Sequence, residues 1–346
     1  MMSVNLNFLG DIGLFKSYED NNVEPVSEIH LPKSDFNIAN FEFIGYDNTF
    51  NKNYFDVQIK YFPSLTFLDK CNLEKFDYLS LANNHIMDFG VEGIERNIHL
   101  LQKKNIYYFG FGCNENYNPA EIQKNNIKIL LIGCIGKGRW SKGKNDGYGP
   151  DELDISKLTN FITTNKSQYS HIIVYPHWGS ELVDVPNPTD IKKAHEIIDA
   201  GATAVIGTHS HIIQGVENYK NGVIAYGLGS FIYSPKEEFG YIKNKKREYS
   251  ICFNIELDQE SIVDYKVYYY LLDNKNIPRM VISPTKKEIN YFNKLNTTIG
   301  NKSLYKRGKY ISLLVREFYS LLLRFFINPR AAANHYLLYL KDKILL

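Results

Sequence analysis

The sequence has few cysteines and lacks a long apolar run. Its four cysteines are scattered over 346 residues, and no two stand in a Cys-x-x-Cys spacing. This distribution predicts neither a zinc ribbon nor a redox or disulfide framework, and it fits a reducing compartment. The chain also lacks a stretch of about 18 uncharged apolar residues, so no transmembrane helix is predicted.

The first residues lack the basic and apolar regions of an export signal. Residues 4–9 alternate like a β-strand instead. The sequence therefore predicts a cytoplasmic protein.

Charge is unevenly distributed along the chain. Residues 302–346 hold nine Lys or Arg and two Asp or Glu, a net charge of +7, whereas the whole chain carries +2. Residues 310–327 also read as an amphipathic helix, with an apolar face that includes Leu314 and Phe318. Peripheral binding to the inner membrane leaflet is one interpretation, and ordinary helix packing is the other. Nucleic-acid binding is not predicted, because these basic residues match no reader module.

Short apolar runs alternate with helical patterns over the first 230 residues. The predicted strands are residues 6–9, 37–42, 78–82, 127–135, 171–175, 204–206 and 223–226, and the predicted helices are residues 91–103, 151–163 and 189–200. Thr189 is the expected N-cap of the last helix, and Gly201 follows its end. This alternation predicts a layered α/β domain.

The pattern changes beyond this region. Residues 250–257 and 261–271 predict a β-hairpin, turning at Asp258-Gln259, that closes a sheet. Residues 274–308 are polar and are expected to be an irregular connection. Residues 309–346 predict two basic amphipathic helices, broken at Asn328-Pro329. The expected organisation is a main domain over residues 1–273, the connection, and a C-terminal helical extension.

Carboxylate, amide and imidazole side chains follow five of the predicted strands. They are Asp11, Glu42, Asn84 with His85 and Asp88, His177, and His209 with His211. Functional residues of open α/β sheets gather where strands end, and these side chains are common ligands of divalent metals. Each residue alone also fits an ordinary turn, cap or packing role. Taken together they favour a metal site, in which a shared carboxylate would hold two mutually repelling cations.

The successive motifs resemble those of the CapA family, which is named for poly-γ-glutamate capsule biosynthesis and is related to calcineurin-like metallophosphoesterases. They are Gly10-Asp11, Asn40-Phe41-Glu42, Leu81-Ala82-Asn83-Asn84-His85 with Asp88-Phe89-Gly90, His177-Trp178-Gly179-Ser180-Glu181, Gly207-Thr208-His209-Ser210-His211 and Tyr226-Gly227-Leu228-Gly229-Ser230-Phe231. They occur in family order over about residues 4–235. The resemblance implies a metallophosphatase-like α/β/β/α sandwich with mixed sheets.

The same resemblance implies roles for individual residues. Asp11 and His211 would bind a first metal, Glu42 would bridge, and Asn84, His177 and His209 would bind a second. His85 would be the general acid, and Asp88, close to it in sequence, is expected to orient it. One or two divalent ions (Mn, Zn, Fe or Mg) are expected as cofactors.

Two positions depart from the related pattern. Gly13 stands where the wider superfamily has the histidine of Asp-x-His, so the first metal site loses a ligand and a one-metal site is an alternative. Ser230 stands where the family commonly has asparagine, which leaves open a substrate contact at this position.

The resemblance implies a metal-dependent phosphoester hydrolase or phosphoryl-transfer enzyme of bacterial capsule or surface polysaccharide biosynthesis. Its substrate would be anionic, either phosphorylated or a glycan, and Lys137 and Arg139 either reach it or lie in a solvated loop. The alternative is a non-hydrolytic metal-binding component of a poly-γ-glutamate-type polymer synthesis complex.

Overall fold

The computed structural model describes residues 2–47, 62–113, 117–136, 147–234 and 245–327, with side chains as far as residue 314. In chain order the strands β1 to β17 span Val4–Ile12, Phe36–Phe41, Tyr78–Ser80, Tyr107–Phe109, Phe111–Gly112, Ala120–Lys124, Ile127–Gly136, Gly149–Pro150, Glu152–Leu153, His171–His177, Ala204–Ile206, Val216–Tyr219, Gly222–Ala225, Ser230–Ile232, Tyr249–Leu257, Ile262–Leu272 and Pro278–Met280. The helices α1 to α7 span Lys16–Asp20, Leu65–Lys70, Gly90–Lys103, Ile155–Asn165, Pro188–Ala200, Lys286–Thr297 and Lys302–Ile327.

Two large sheets contain most of these strands. The first has the order β17-β16-β15-β1-β2-β3-β4, and β14 also pairs with β1. The second has the order β12-β13-β11-β10-β7-β6, with β9 beside β7. Strands β1 to β4 are mutually parallel, whereas β15 and β16 form the predicted antiparallel hairpin along the edge of β1. Both sheets are therefore mixed, as predicted.

The apolar residues divide into three layers of core. Side chains from the facing sides of both sheets pack together between them, including Phe8, Ile38, Leu131 and Ile173. The alternate residues of β7 and β10 point to the other side of the second sheet, since successive side chains of a strand face opposite ways. There Leu130 and Val174 share a core with residues of α4 and α5, and β1 to β3 share another with residues of α3. The α/β/β/α prediction is confirmed.

Two predicted helix starts are wrong. The helix expected over residues 151–163 is Ile155–Asn165, because the Asp154 carboxylate accepts a hydrogen bond from Lys157 N at 3.1 Å and begins the helix there. The helix expected to be capped by Thr189 is capped by Asn187, whose Oδ1 accepts from Thr189 N at 3.1 Å. Pro188 then occupies the first helical position, where its missing N–H costs nothing.

The connection predicted to be irregular, residues 274–308, is mostly regular. It contains β17, all of α6 and the first residues of α7. Thr285 and Glu288 form a capping box that starts α6, and Phe292 and Leu295 are buried on its inner face. Polar composition concealed this helix because its apolar residues are few but lie on one face.

Helix α7 begins at Lys302, earlier than predicted. Tyr310 is 63 % exposed and Leu314 is 50 % exposed. In the part of the chain that the structure describes, no helix has the length and apolar character to cross a membrane. Binding of this region to the inner leaflet stays a prediction, and residues 328–346, with the predicted break and second helix, lie outside the described residues, as do Lys137 and Arg139.

Candidate metal centre

The predicted ligands meet where the carboxyl ends of strands from both sheets converge. Asp11 lies near the end of β1 and His177 ends β10. Glu42 directly follows β2, Asn84 follows β3, and His209 and His211 lie in the loop after β11. All six predicted metal ligands are therefore brought to one region.

Close backbone approach makes this convergence possible. A Cβ atom on Gly10 would lie 1.7 Å from Gly229 O, so only glycine lets the loop before β14 lie against β1. Asp11 N donates to Gly229 O at 3.2 Å, and Asp11 pairs with Ser230 in the sheet. Residues more than 200 positions apart are thereby fixed side by side.

Asp11, Glu42 and His211 form a first ligand group. One donor atom from each lies within 4.8 Å of the others, and all three side chains are buried. His211 Nδ1 is 3.2 Å from Asp11 Oδ2, and its Nε2 is 3.6 Å from Glu42 Oε1. Two carboxylates and an imidazole form a donor set suited to Mn, Fe or Zn.

Glu42, His177 and His209 form a second group of the same compactness. His177 Nε2 is 3.6 Å from Glu42 Oε1, the same separation as that of His211 Nε2 from this oxygen. Asn84 Oδ1 is 2.7 Å from His177 Nε2, so these two donor atoms face one place. Glu42 belongs to both groups and is the residue predicted to bridge.

Burial disfavours the charged form of both histidines of the second group, and one of them, His209, has a ring nitrogen without a hydrogen-bond partner among the described residues. Burial lowers the pKa of His177 well below 6.5 and lowers that of His209 to about 4. His209 Nδ1 is buried and has no hydrogen-bond partner among the described residues. A buried nitrogen without a partner is costly unless a ligand occupies its lone pair. The donor set and this nitrogen therefore fit a divalent ion.

Hydrogen bonds orient the ligands. Asn40 Nδ2 donates to Asp11 Oδ1 at 2.8 Å, and Asn83 Nδ2 donates to Phe41 O at 2.9 Å, next to Glu42. Thr208 Oγ1 lies 3.0 Å from His177 Nδ1, which directs Nε2 at the centre. Asn40, Asn83 and Thr208 each lie within a quoted motif but were not among the predicted site residues.

The loop after β11 holds its two histidines in unusual backbone conformations. His209 has a φ of 85° and His211 a φ of 53°. Residues other than glycine rarely adopt positive φ values. His209 N lies 3.3 Å from Asp11 Oδ2, which ties this loop to the end of β1. Such conformations cost about 1–3 kcal/mol each and occur where the surrounding structure enforces them.

The two departures from the related pattern have different consequences. At Gly13 a Cβ atom would lie 2.8 Å from a Phe15 ring carbon and 3.1 Å from one of Phe43, so aromatic rings fill the space of a residue 13 ligand. Ser230 Oγ lies 2.9 Å from His211 Nδ1 and orients that histidine. Aromatic packing thus takes the place of a metal-binding side chain at residue 13, whereas Ser230 holds the predicted ligand His211.

His85 and Asp88 form a pair beside the second group. His85 Nδ1 is 2.7 Å from Asp88 Oδ2, as expected of an orienting carboxylate. The Phe43 ring stacks on the His85 ring, with centroids 4.4 Å apart and planes inclined by 23°. Burial is the main cause of the lowered pKa of His177, and charge repulsion from His85 adds to it. The His85 side chain is 26 % exposed, which leaves it accessible to a substrate.

We expect the metal-free protein to lose stability as pH falls from about 6.5 to about 4. The unfolded chain takes up protons on His177 and His209 at ordinary histidine pKa values, whereas the folded chain does not until lower pH, so stability rises with pH in this window. Urea midpoints at several pH values measure it. In His209→Gln the urea midpoint should depend less on pH, whereas the control His99→Gln, at an exposed position, should keep the wild-type dependence. A wild-type dependence in His209→Gln would contradict the lowered pKa of His209.

Comparison with known proteins places the chain in a family. The family model described as "Bacterial capsule synthesis protein PGA_cap" matches residues 6–235. The PGA biosynthesis protein CapA of Bacillus subtilis (strain 168) is 31 % identical over 219 residues, which are 61 % of this chain and 55 % of that protein. The capsule biosynthesis protein CapA of Bacillus anthracis is 29 % identical over 168 residues, 46 % and 40 % of the two chains. The chain thus spans about half the length of the curated relatives it matches.

Some solved structures show a distant likeness to this chain. A phosphatase from Mycoplasma pneumoniae has a TM-score of 0.46 and 14 % identity, covering 85 % of this chain and 99 % of that one. A putative 5'-nucleotidase from Staphylococcus aureus has a TM-score of 0.45 and 13 % identity, covering 84 % and 58 %. The family is shown by the match over residues 6–235, and this chain belongs to the bacterial capsule synthesis protein PGA_cap family.

Proposed function

We propose that the chain binds two divalent metal ions and cleaves or transfers a phosphoester in the assembly of a bacterial capsule or surface polymer. The observation that carries this proposal is that Glu42 belongs to two compact ligand groups at once. A pair of sites sharing a carboxylate is typical of centres that bind both the attacking and the leaving oxygen of a phosphoryl group. The family membership supports the biological setting.

Bound divalent ions would polarise the phosphoryl group and lower the pKa of a coordinated water. The protein's part is to orient groups and to move a proton. Asp88 accepts a hydrogen bond from His85 Nδ1, which leaves His85 Nε2 to donate a proton to the leaving oxygen. The Asp88 carboxylate also stabilises the charged imidazolium form needed for that donation.

Hydrolysis of simple esters tests this function. Protein stripped with a chelator and reloaded with Mn²⁺ or Zn²⁺ is expected to cleave an aryl phosphate or an aryl phosphodiester, and the stripped protein is not. His211→Ala should lower the rate, while His99→Ala, which replaces an exposed histidine of α3, should not. If the reloaded protein cleaves neither ester, nor a phosphorylated polymer precursor, the hydrolytic proposal is wrong.

A non-hydrolytic role is the second candidate, favoured by the name of one relative. A protein of Mycobacterium tuberculosis (strain CDC 1551 / Oshkosh), named a probable polyglutamine synthesis accessory protein, is 27 % identical over 168 residues. In such a role the chain would position polymer or partner proteins. Complementation separates the two candidates: a Glu42→Gln chain that restores polymer formation in a host lacking this protein supports the accessory role.

A further inference from the structure

Glu181 lies beside Nε2 of His209, a residue of the second ligand group. Glu181 Oε1 is 3.9 Å from His209 Nε2, whereas His209 Nδ1 is the buried nitrogen without a partner among the described residues. The carboxylate attracts a proton to Nε2 and so favours the tautomer whose Nδ1 lone pair is free. Metal-binding histidines commonly donate their second N–H to a carboxylate, which sets both the tautomer and the ring orientation, and Glu181 at 3.9 Å lies just beyond hydrogen-bond distance of Nε2.

The loop that carries Glu181 is fixed to the loop that carries His209. Leu182 N donates to Ser210 O at 2.8 Å, between the two histidines of the His-Ser-His motif. Gln214 Nε2 donates to Val183 O at 2.7 Å. Leu182 has φ 61°, an uncommon conformation that this bonding holds in place. These bonds therefore hold the backbone next to Glu181 against the loop that carries His209.

Helix α7 also contacts the loop that carries Glu181. Ser312 Oγ donates to Glu181 O at 2.9 Å, and Tyr305 OH lies 3.0 Å from Ser180 Oγ. A Cβ atom on Gly308 would lie 3.0 Å from Val183 Cγ1, so the helix approaches the loop closely there. Residues 305, 308 and 312 lie on one helix face, given the 3.6-residue turn.

The residues of α7 that contact this loop are packed into the domain. Tyr305 and Ser312 are buried, and Tyr305 shares a small apolar core with Val183 and Val185. Because buried polar groups need their hydrogen bonds, loss of the helix would expose Val183 and leave Glu181 O without its bond to Ser312. The loop would then lose the support that keeps Glu181 beside His209.

We propose that α7 is a structural part of the metal centre: it holds the loop that places Glu181, and Glu181 is a positioning residue for His209. The inference rests on the metal centre of the proposed function but not on hydrolysis. It assigns to α7 a role in metal binding that is separate from any role in packing or membrane contact.

Metal affinity tests the proposal directly. We expect Glu181→Gln to lower the affinity for one of the two ions by about 10- to 100-fold. This is the range found when a residue that supports a metal-binding side chain is removed. Ser312→Ala and Gly308→Leu should lower the affinity for the same ion. Ser303→Ala, which replaces an exposed serine of the same helix, should leave that affinity unchanged. Calorimetric titration with Zn²⁺ and the visible spectrum of the Co²⁺-loaded protein measure the effect, and circular dichroism verifies the fold.

The outcomes separate this inference from the proposed function. Wild-type affinities for both ions in Glu181→Gln and in Ser312→Ala would overturn the inference, even if Gly308→Leu fails to fold. An equal loss of affinity for both ions in all variants would also overturn the inference, because the effect would then be a general destabilisation of the protein. A protein that binds two ions and responds as expected, yet cleaves no ester, would leave the inference standing and overturn the proposed hydrolysis.

Discussion

Replacing Glu42 by alanine is expected to remove both metal ions and to abolish hydrolysis. Glu42 is the residue shared by the two ligand groups, and its Oε1 lies 3.6 Å from Nε2 of both His177 and His211. Without this carboxylate each group loses a ligand, and the two ions lose the negative charge that offsets their repulsion. Affinity for each ion should fall by more than about 100-fold, since loss of a supporting hydrogen bond alone costs about 10- to 100-fold.

Metal analysis after dialysis measures this loss, and two variants serve as controls. His211→Ala removes a ligand from the first group alone and should leave one ion bound. Glu95→Ala, an exposed glutamate of α3, should retain two. A Glu42→Ala protein that keeps one tightly bound ion would show that the groups are independent and that Glu42 does not bridge.

Replacing His85 by alanine is expected to slow turnover without changing metal content. His85 belongs to neither ligand group, and its ring contacts Asp88 and Phe43. A general acid contributes about 10²- to 10⁴-fold, so kcat on an alkyl phosphate should fall by that factor. A p-nitrophenyl ester should be affected much less, because its leaving group departs without a proton.

The dependence on the leaving group is the decisive measurement for His85. Asp88→Asn should give a smaller loss with the same dependence, because asparagine can still accept a hydrogen bond from Nδ1 but cannot stabilise the imidazolium charge. Equal losses on the alkyl and aryl esters, or loss of bound metal in His85→Ala, would contradict the role of general acid.

Much of the site could be predicted from the sequence, because each candidate ligand directly follows an apolar run. Functional residues of α/β sheets gather where strands end, so Asp11, Glu42, Asn84 and His177 were expected to lie together; His177 comes from the second sheet and the other three from the first. The layered fold followed from the alternation of strands and helices. Which roles the ligands have in catalysis stays a prediction.

Other features depend on contacts between distant segments. The rings that fill the space beside Gly13 include Phe43 and Tyr233, which no spacing in the sequence connects. The support of Glu181 by Ser312 joins residues 131 positions apart. The α6 capping box was readable as Thr285-x-x-Glu288, yet polar composition outweighed it in the prediction. The wrong start of α4 had a local cause, because the side chain that begins the helix is that of Asp154.

The pairing of Asp11 with Ser230 has a kinetic consequence. A chain that must bring together residues about 200 positions apart pays a large closure entropy before these contacts form, so this pairing belongs to the slow steps of folding. The first ligand group contains Asp11, and Ser230 contacts its His211 at 2.9 Å, so this group depends on the pairing. Ions bound at this group would therefore stabilise the finished domain and not its partly folded precursors, and would lengthen its lifetime against unfolding and proteolysis.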